Sequence, residues 1–290
     1  MITRTYHIEF LTPCFCAGAN QTQAELRASA IRGQLHWWFR CLGGTLDEER
    51  SIFGSVHGDQ PLASTFIVRV TQQPSGGETN WHAKIPHQGT HPIVYLLGFF
   101  CGRTGRLNPK GAIPPGSKAK IEIIFRRPPT QRLEQTLRIF FSIGALGFRT
   151  TRAAGALTSK EHALTSDSWT ALTKELSAAG FQVNLLDKTF GTDWYKLLES
   201  AGSFLKDRLR GRNGLGISAG RNGSKPNPLG SANPRQTSVL HLRPVRIDNQ
   251  LRLALIEAPH TRILGLPALK AHGSNDSIIN LLKQKNVLSL

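Results

Sequence analysis

Residues 25–44, "ELRASAIRGQLHWWFRCLGG", lay two patterns over one helix. Ile31, Leu35, Trp38 and Leu42 recur at i, i+4, i+7 and i+11, so they form a single apolar stripe and predict an amphipathic helix that buries it. Arg32, His36 and Arg40 follow one another at i+4 on a different face, and Gly43-Gly44 supplies a left-handed stop. Gly33 stands where alanine would hold the helix better. The helix is expected to have a dry face and a cationic one.

Working outward, "RTYHIEFLT" reads as a strand through Tyr6, Ile8 and Phe10, and "LASTFIVRV", residues 62–70, as a second. Residues 71–116 form a Gly-, Pro- and His-containing insertion in which only "PIVYLLGFF" looks buried. "KAKIEIIFRR" alternates with Ile121, Ile123 and Phe125 on one side, and "LEQTLRIFFSIGAL" gives a second amphipathic helix. After a connecting helix in "SDSWTALTKELSAAG", the order recurs. "FQVNLL" is a strand and "DWYKLLESAGSFLKDRLRG" a helix capped by Asp193. "VLHLRPVRI" and "LRLALIEA" pair through a turn at Asp248-Asn249, and "SNDSIINLLKQKN" is a final helix. Two βαββα runs predict the α+β class: tandem ferredoxin-like (RRM-like) domains with long basic loop insertions. Short pieces such as "GALTS" and "NVLSL" would supply a last strand to each. The expected domains are 1–159, with the insertion at about 71–116, and 160–290, with a basic Gly-rich loop at 211–236.

Lys and Arg number 36 against 19 Asp and Glu, a formal charge of +17, while 39% of the 290 residues are hydrophobic. That combination describes a folded basic protein, whose simplest partner is a polyanion. No run approaches the roughly 18 apolar residues of a spanning helix. The start, "MITRTYHIEF", lacks a signal-peptide pattern, so the expected location is the cytoplasm, with no membrane partner. Cys14, Cys16, Cys41 and Cys101 are too few and too irregular for a disulfide framework. With His82, His87 and His91 they make no recognised ligand spacing, so they are read as free thiols, with no metal and no cofactor.

Two loops carry the remaining charge. "GALGFRTTRAAGALT", residues 144–158, sets Gly144, Gly147 and Gly155 around Arg149 and Arg152. Glycines let a backbone approach phosphate and arginines offer forked donors, although a tight turn alone would also use the glycines. There is no G-x-x-x-x-G-K-[ST] nucleotide loop and no dinucleotide fingerprint. The stretch 211–236 contains Arg212, Arg221, Lys225 and Arg235 but no acidic residue, which favours RNA contact over an idle linker.

A strand, then "ELRASAIRGQLHWWFRCLGG", then "IFGS", a glycine and arginine loop after the second helix, and "SVLHLRPV" together resemble the RAMP superfamily of CRISPR effector subunits, within it those of the type III-B Cmr complex. The pattern departs at His36, where arginine is expected, and in a loop with fewer glycines. The resemblance implies a non-catalytic RNA-binding subunit of an antiviral ribonucleoprotein, contacting guide (CRISPR) RNA near its 3′ end and helping to capture target RNA beside other RAMP subunits. The implied contacts are Arg27, Arg32, Gly33, His36, Trp37 and Arg40 on the helix, Gly147, Arg149 and Arg152 in the loop, and the four cations of 211–236. Trp37 either stacks on a base or is buried against a neighbour. Arg32, off the apolar stripe, and Arg152, in a loop, are expected to leave the fold intact when removed. The alternative is a metal-independent, guide-processing endoribonuclease with His36 as general acid or base.

Overall fold

The computed structural model describes residues 1–20, 22–56, 60–86, 90–98, 111–217, 227–230, 237–263 and 274–290. They gather into two compact units whose sequences interleave. Unit 1 comprises Met1–Thr79, Lys110–Phe148 and Ala154–Leu164; unit 2 comprises Asn80–Pro109, Arg149–Ala153 and Thr165–Leu290. Most of the insertion expected at 71–116 therefore gathers with the C-terminal unit.

Unit 1 contains β1 (Ile2–Phe10), β2 (Cys14–Phe15), α1 (Ala28–Cys41), α2 (Leu46–Phe53) and β3 (Phe66–Ser75). Unit 2's α3 (Pro92–Leu97) comes next in the chain, and β4 (Ala112–Ile113), β5 (Lys118–Phe125), α4 (Gln131–Ile143) and β6 (Leu157–Ser159) complete unit 1. Four strands form an antiparallel sheet in the order β3-β5-β1-β6, and β2 pairs with β4. The alternation in sequence becomes the sheet's two faces. Tyr6, Ile8, Phe10, Ile121, Ile123 and Phe125 are all buried, as is the α1 stripe Ile31, Leu35, Trp38 and Leu42. Tyr6 stacks on Phe141 of α4 with centroids 3.7 Å apart, and Phe39, Phe53 and Phe66 follow in edge contacts at 5.5 and 5.2 Å. α1 ends as expected. Gly43 takes φ 93°, its N–H bonds the Arg40 carbonyl at 3.0 Å, and the Gly44 N–H bonds that of Phe39 at 2.9 Å.

Unit 2 continues with α5 (Ser166–Ala178), β7 (Gln182–Thr189), α6 (Trp194–Ser203), β8 (Leu240–Ile247), β9 (Gln250–Glu257), α7 (His260–Ile263) and α8 (Ile278–Gln284). The sheet order is β7-β9-β8, all antiparallel. Asp248 and Asn249 turn the β8–β9 hairpin with φ of 47° and 62°, the left-handed pair this two-residue turn demands. Asp193 caps α6, but the helix expected to run to residue 211 changes to a π-helical turn at Phe204–Leu209. A β-carbon on Gly202 would lie 2.2 Å from the Pro92 carbonyl oxygen, so glycine lets α3 meet α6 closely. The buried Glu257 carboxylate accepts from the N–H groups of Ile278 and Ile279 at 2.8 and 3.0 Å and anchors the start of α8. "GALTS" supplies β6, whereas "NVLSL" forms no strand and leaves this sheet with three. β8 carries Pro244 and is an edge strand. Residues 151–153 cover that edge: Leu242 N–H bonds the Thr151 carbonyl at 3.2 Å and Ala153 N–H bonds that of Leu242 at 3.0 Å.

Candidate nucleic-acid interface

In unit 1, α1 turns Ser29, Gly33 and Arg40 to solvent, with Trp37 half-buried beside them. Its N-terminus is bare. Arg27 is the N-cap without a side-chain cap, and the first turn holds no acidic residue, so the positive end of the helix dipole is uncompensated there. Arg27 is exposed and makes no ion pair among the described residues. A β-carbon on Gly33 would meet nothing within 4 Å, so packing inside the protein does not require glycine at this position.

The other cations of this helix are already engaged. α2 places the buried carboxylate of Glu49 under His36 and Arg40. It accepts from Arg40 Nε at 2.7 Å and pairs with His36 Nδ1, whose ring lies 3.9 Å from that of Phe53. Burial alone would raise the Glu49 carboxyl, but the bonds from Arg40 and His36 outweigh it and hold it below the usual range. Arg40 stays 61% exposed and keeps a face toward solvent. Trp37 meets Trp38 edge-on at 4.9 Å. Arg32 turns inward: its guanidinium donates to the Phe53 carbonyl and to Ser64 Oγ at 3.2 Å, and lies over the rings of Phe53 and Phe66 at 5.6 and 5.4 Å. Arg32 thus ties α1 to α2 and β3, which corrects the expectation that it has no structural role. Neither α2 nor Glu49 was foreseen, although Thr45-Leu-Asp-Glu48 is a capping-box signature and both of its bonds are formed.

The glycine loop is built by packing. Gly147 has φ 83°, and a β-carbon there would fall 2.5 Å from the Phe15 carbonyl oxygen; at Gly155, with φ 65°, it would fall 1.9 Å from that of Leu146. Phe148 between Gly147 and Arg149 is 41% exposed, its backbone N–H fixed on the Phe15 carbonyl at 2.9 Å. Sequence reasoning passed over this ring because it weighed only glycines and arginines; an aromatic flanked by both was the available signal.

In unit 2, Arg149 is half-buried at φ 63°. Arg152 is 4% exposed and donates Nη2 to the Leu229 carbonyl at 2.7 Å. Burial, with the charges of Arg210 and Arg149 adding to it, pushes the Arg152 guanidinium down to about 9, so it remains a cation at neutral pH. This corrects the expectation of a surface Arg152: the pairing of 151–153 with β8 carries the side chain inside. Arg212 is exposed in a turn. Arg221, Lys225 and Arg235 lie outside the described residues.

Beside the α1 N-terminus, Cys14 and Cys16 are buried free thiols. The neighbouring Cys14 lowers the Cys16 thiol to about 7, burial opposing it and Arg27 assisting, while burial pushes Cys14, whose thiol donates to the Leu146 carbonyl at 3.3 Å, well above its usual range. Because the folded value of Cys16 lies below the unfolded one of about 8.5, this stabilisation is complete above pH 8.5 and is lost as the pH falls through 7. In urea melts, the stability advantage of the parent over Cys16→Ser is expected to shrink from about pH 9 to about pH 6; an advantage that grows toward acid refutes the assignment. No group of three or more His, Cys, Asp or Glu able to hold a metal occurs among the described residues, and no described helix is long and apolar enough to cross a membrane.

Two curated relatives from Pyrococcus furiosus align with the chain. The CRISPR system Cmr subunit Cmr1-2 is 26% identical over 182 residues, covering 54% of this chain and 95% of that protein. Cmr1-1 is 25% identical over 165 residues, covering 54% and 44%. Among solved structures, the crystal structure of Cmr1 from P. furiosus in its apo form shares the fold, with a TM-score of 0.59 and 17% identity over 89% of this chain and 88% of that one. A chain of the type III-B Cmr-beta complex bound to cognate target RNA gives a TM-score of 0.50 at 13% identity, over 88% and 94%. The family model of the RAMP superfamily matches residues 7–158, from within β1 into β6, which is more than half of the 290 residues, and on that match this chain belongs to the RAMP superfamily.

Proposed function

We propose that this protein is a non-catalytic, RNA-binding subunit of a type III CRISPR effector ribonucleoprotein, a counterpart of the first subunit of the type III-B Cmr complex. In this reading both units are ferredoxin-like. Unit 1's β-α-β-β-α-β succession with order β3-β5-β1-β6 supports that assignment more fully than the three-stranded sheet of unit 2. The subunit works in the cytoplasm beside other RAMP subunits, contacts guide RNA near its 3′ end and helps to capture target RNA. The names of its relatives and the target RNA in the Cmr-beta complex support the reading. Gly147 and the exposed ring of Phe148 join the α1 surface as contacts, whereas Arg32 supports it from within.

One observation carries the proposal: Gly33 is exposed in mid-helix, between the exposed Arg27 at the N-cap and Arg40 in the last turn, with open space where a β-carbon would stand. Glycine there costs about 0.5–1 kcal/mol relative to alanine. A phosphate or ribose seated against the helix backbone accounts for it. Gly33→Ala is expected to raise the melting temperature by a few degrees and to weaken binding of single-stranded RNA about tenfold. Equal RNA affinity in the two proteins, read by anisotropy, removes the support.

The His36–Glu49 pair favours a second reading, since a carboxylate on Nδ1 is how a catalytic imidazole is oriented. Cleavage at a 2′-hydroxyl needs both a base and an acid, and this pair supplies one proton-transfer group. Purified protein is therefore expected to leave CRISPR-repeat RNA intact, with or without divalent metal. Cleavage that disappears in His36→Ala would instead establish the endoribonuclease.

A further inference from the structure

Under the glycine loop of unit 1, two cysteines flank Phe15. The Cys16 N–H bonds the Cys14 carbonyl at 3.1 Å, a γ-turn at the end of β2 that draws the two Cα atoms toward the separation a disulfide spans, about 4.4–6.8 Å. Both residues are buried, Cys14 at 0% and Cys16 at 6% exposure. The same turn holds the loop. Cys14 Sγ donates to the Leu146 carbonyl at 3.3 Å, and the Phe148 N–H bonds the Phe15 carbonyl at 2.9 Å. A β-carbon on Gly147 would lie 2.5 Å from that Phe15 oxygen and 3.2 Å from Cys14 Sγ. On the other side of the turn, the Cys16 carbonyl accepts from the Glu25 N–H at 2.9 Å, just ahead of the Arg27 N-cap. One pair of thiols thus lies between the loop that carries Phe148 and the segment that starts α1.

We infer that Cys14 and Cys16 form a redox switch: hydrogen peroxide closes them into a disulfide, which loosens the loop at Leu146–Phe148 and weakens RNA binding, the last step resting on the RNA reading above. Cys16 reacts first. It is the more exposed of the two, and Arg27 favours its thiolate, the form that attacks peroxide. Its sulfur takes one peroxide oxygen, the O–O bond breaks, and Cys16 becomes a sulfenic acid as hydroxide leaves. The Cys14 sulfur then attacks the Cys16 sulfur. The S–S bond forms, the S–O bond breaks, and the Cys14 proton departs with the hydroxide as water, so no thiolate is stranded at a position where burial disfavours it. Two thiols lose two electrons, and the peroxide is reduced to two waters. The disulfide removes the thiol donor from the buried Leu146 carbonyl, and the loop loses one of its ties. A ring closed over a single residue is strained and readily reduced, which suits reversible sensing rather than a permanent staple.

Treating the native full chain with hydrogen peroxide, then alkylating and digesting it with trypsin, tests the pair, because the tryptic segment Thr5–Arg27 contains Cys14 and Cys16 but neither Cys41 nor Cys101. That peptide is expected to take up no alkyl group, to weigh two hydrogens less than its dithiol form, and to regain both thiols with dithiothreitol. Amide exchange at Phe148 is expected to rise about tenfold as the loop loosens. Affinity for single-stranded RNA is expected to fall about fivefold, and the reductant reverses both changes. Cys16→Ser is expected to show none of these responses to peroxide. The switch is overturned by thiols that both remain alkylatable, by Cys16 recovered as sulfinic acid beside a free Cys14, or by a disulfide that leaves Phe148 exchange unchanged. Equal RNA affinity in the two redox forms overturns its control of binding. Should Cys16→Ser fail to fold, Cys14→Ala takes its place, and the parent's peptide masses still decide whether the disulfide forms. RNA binding absent from both forms refutes the RNA reading, while mass and exchange judge the disulfide and the loop, so either idea can fail alone.

Discussion

Raising salt from about 50 to 200 mM is expected to weaken binding of the full chain to unstructured single-stranded RNA about a hundredfold. The expectation follows from counterion release. Each phosphate neutralised on a single strand contributes about 0.7 to the slope of log affinity against log salt, so about five contacts and a fourfold rise in salt give a factor near a hundred. A formal charge of +17 supplies the field, and the exposed cations Arg27, Arg40 and Arg212 supply contacts. Arg40 contributes less than a full charge because it shares Glu49 with His36. Anisotropy titrations across that salt range give the slope directly. A slope below about one would mean that the charge serves protein contacts instead, and the RNA reading would fall.

Where one periodicity governed one face, sequence and structure agree. The α1 stripe, the alternation in β1 and β5, and the Asp248-Asn249 hairpin were legible because burial repeats at 3.6 or 2 residues and two left-handed residues mark the turn. The α2 helix was overlooked because it has only eight residues, too few to show a period, and its capping box was the remaining signal. "NVLSL" has strand-like composition yet pairs with neither edge strand of the described sheet, and composition cannot reveal that. The site was harder to read. Arg32 and Arg152 have the same side chain as Arg27, yet one folds onto two phenylalanine rings and the other is carried inside by an edge pairing with β8. Long flexible side chains take their direction from tertiary neighbours, so neither the helical phase of Arg32 nor the loop position of Arg152 told where its guanidinium points.

Two substitutions on α1 are expected to damage unit 1 rather than its surface. Trp38 is fully buried, and truncating a buried tryptophan costs about 3–5 kcal/mol through lost contacts and the cavity left behind. Arg32→Ala is expected to cost about 2–3 kcal/mol. It leaves the Phe53 carbonyl and Ser64 Oγ without their charged donor, worth about 1.5–3 kcal/mol, and removes a cation from two aromatic faces. Arg32→Lys should recover only a minor part, because an ammonium cannot fork between the two acceptors and lie flat on the rings. Both losses are large against a domain stability of about 5–15 kcal/mol. Chemical denaturation beside RNA titration separates the two roles of the helix. An early-melting Arg32→Ala whose residual folded fraction binds RNA as the parent does confirms that this arginine belongs to the core. A variant that melts with the parent but has lost RNA binding would show that Arg32 leaves its phenylalanine cradle to meet phosphate, and the division between a supporting Arg32 and a contacting Arg27, Gly33 and Arg40 would have to be redrawn.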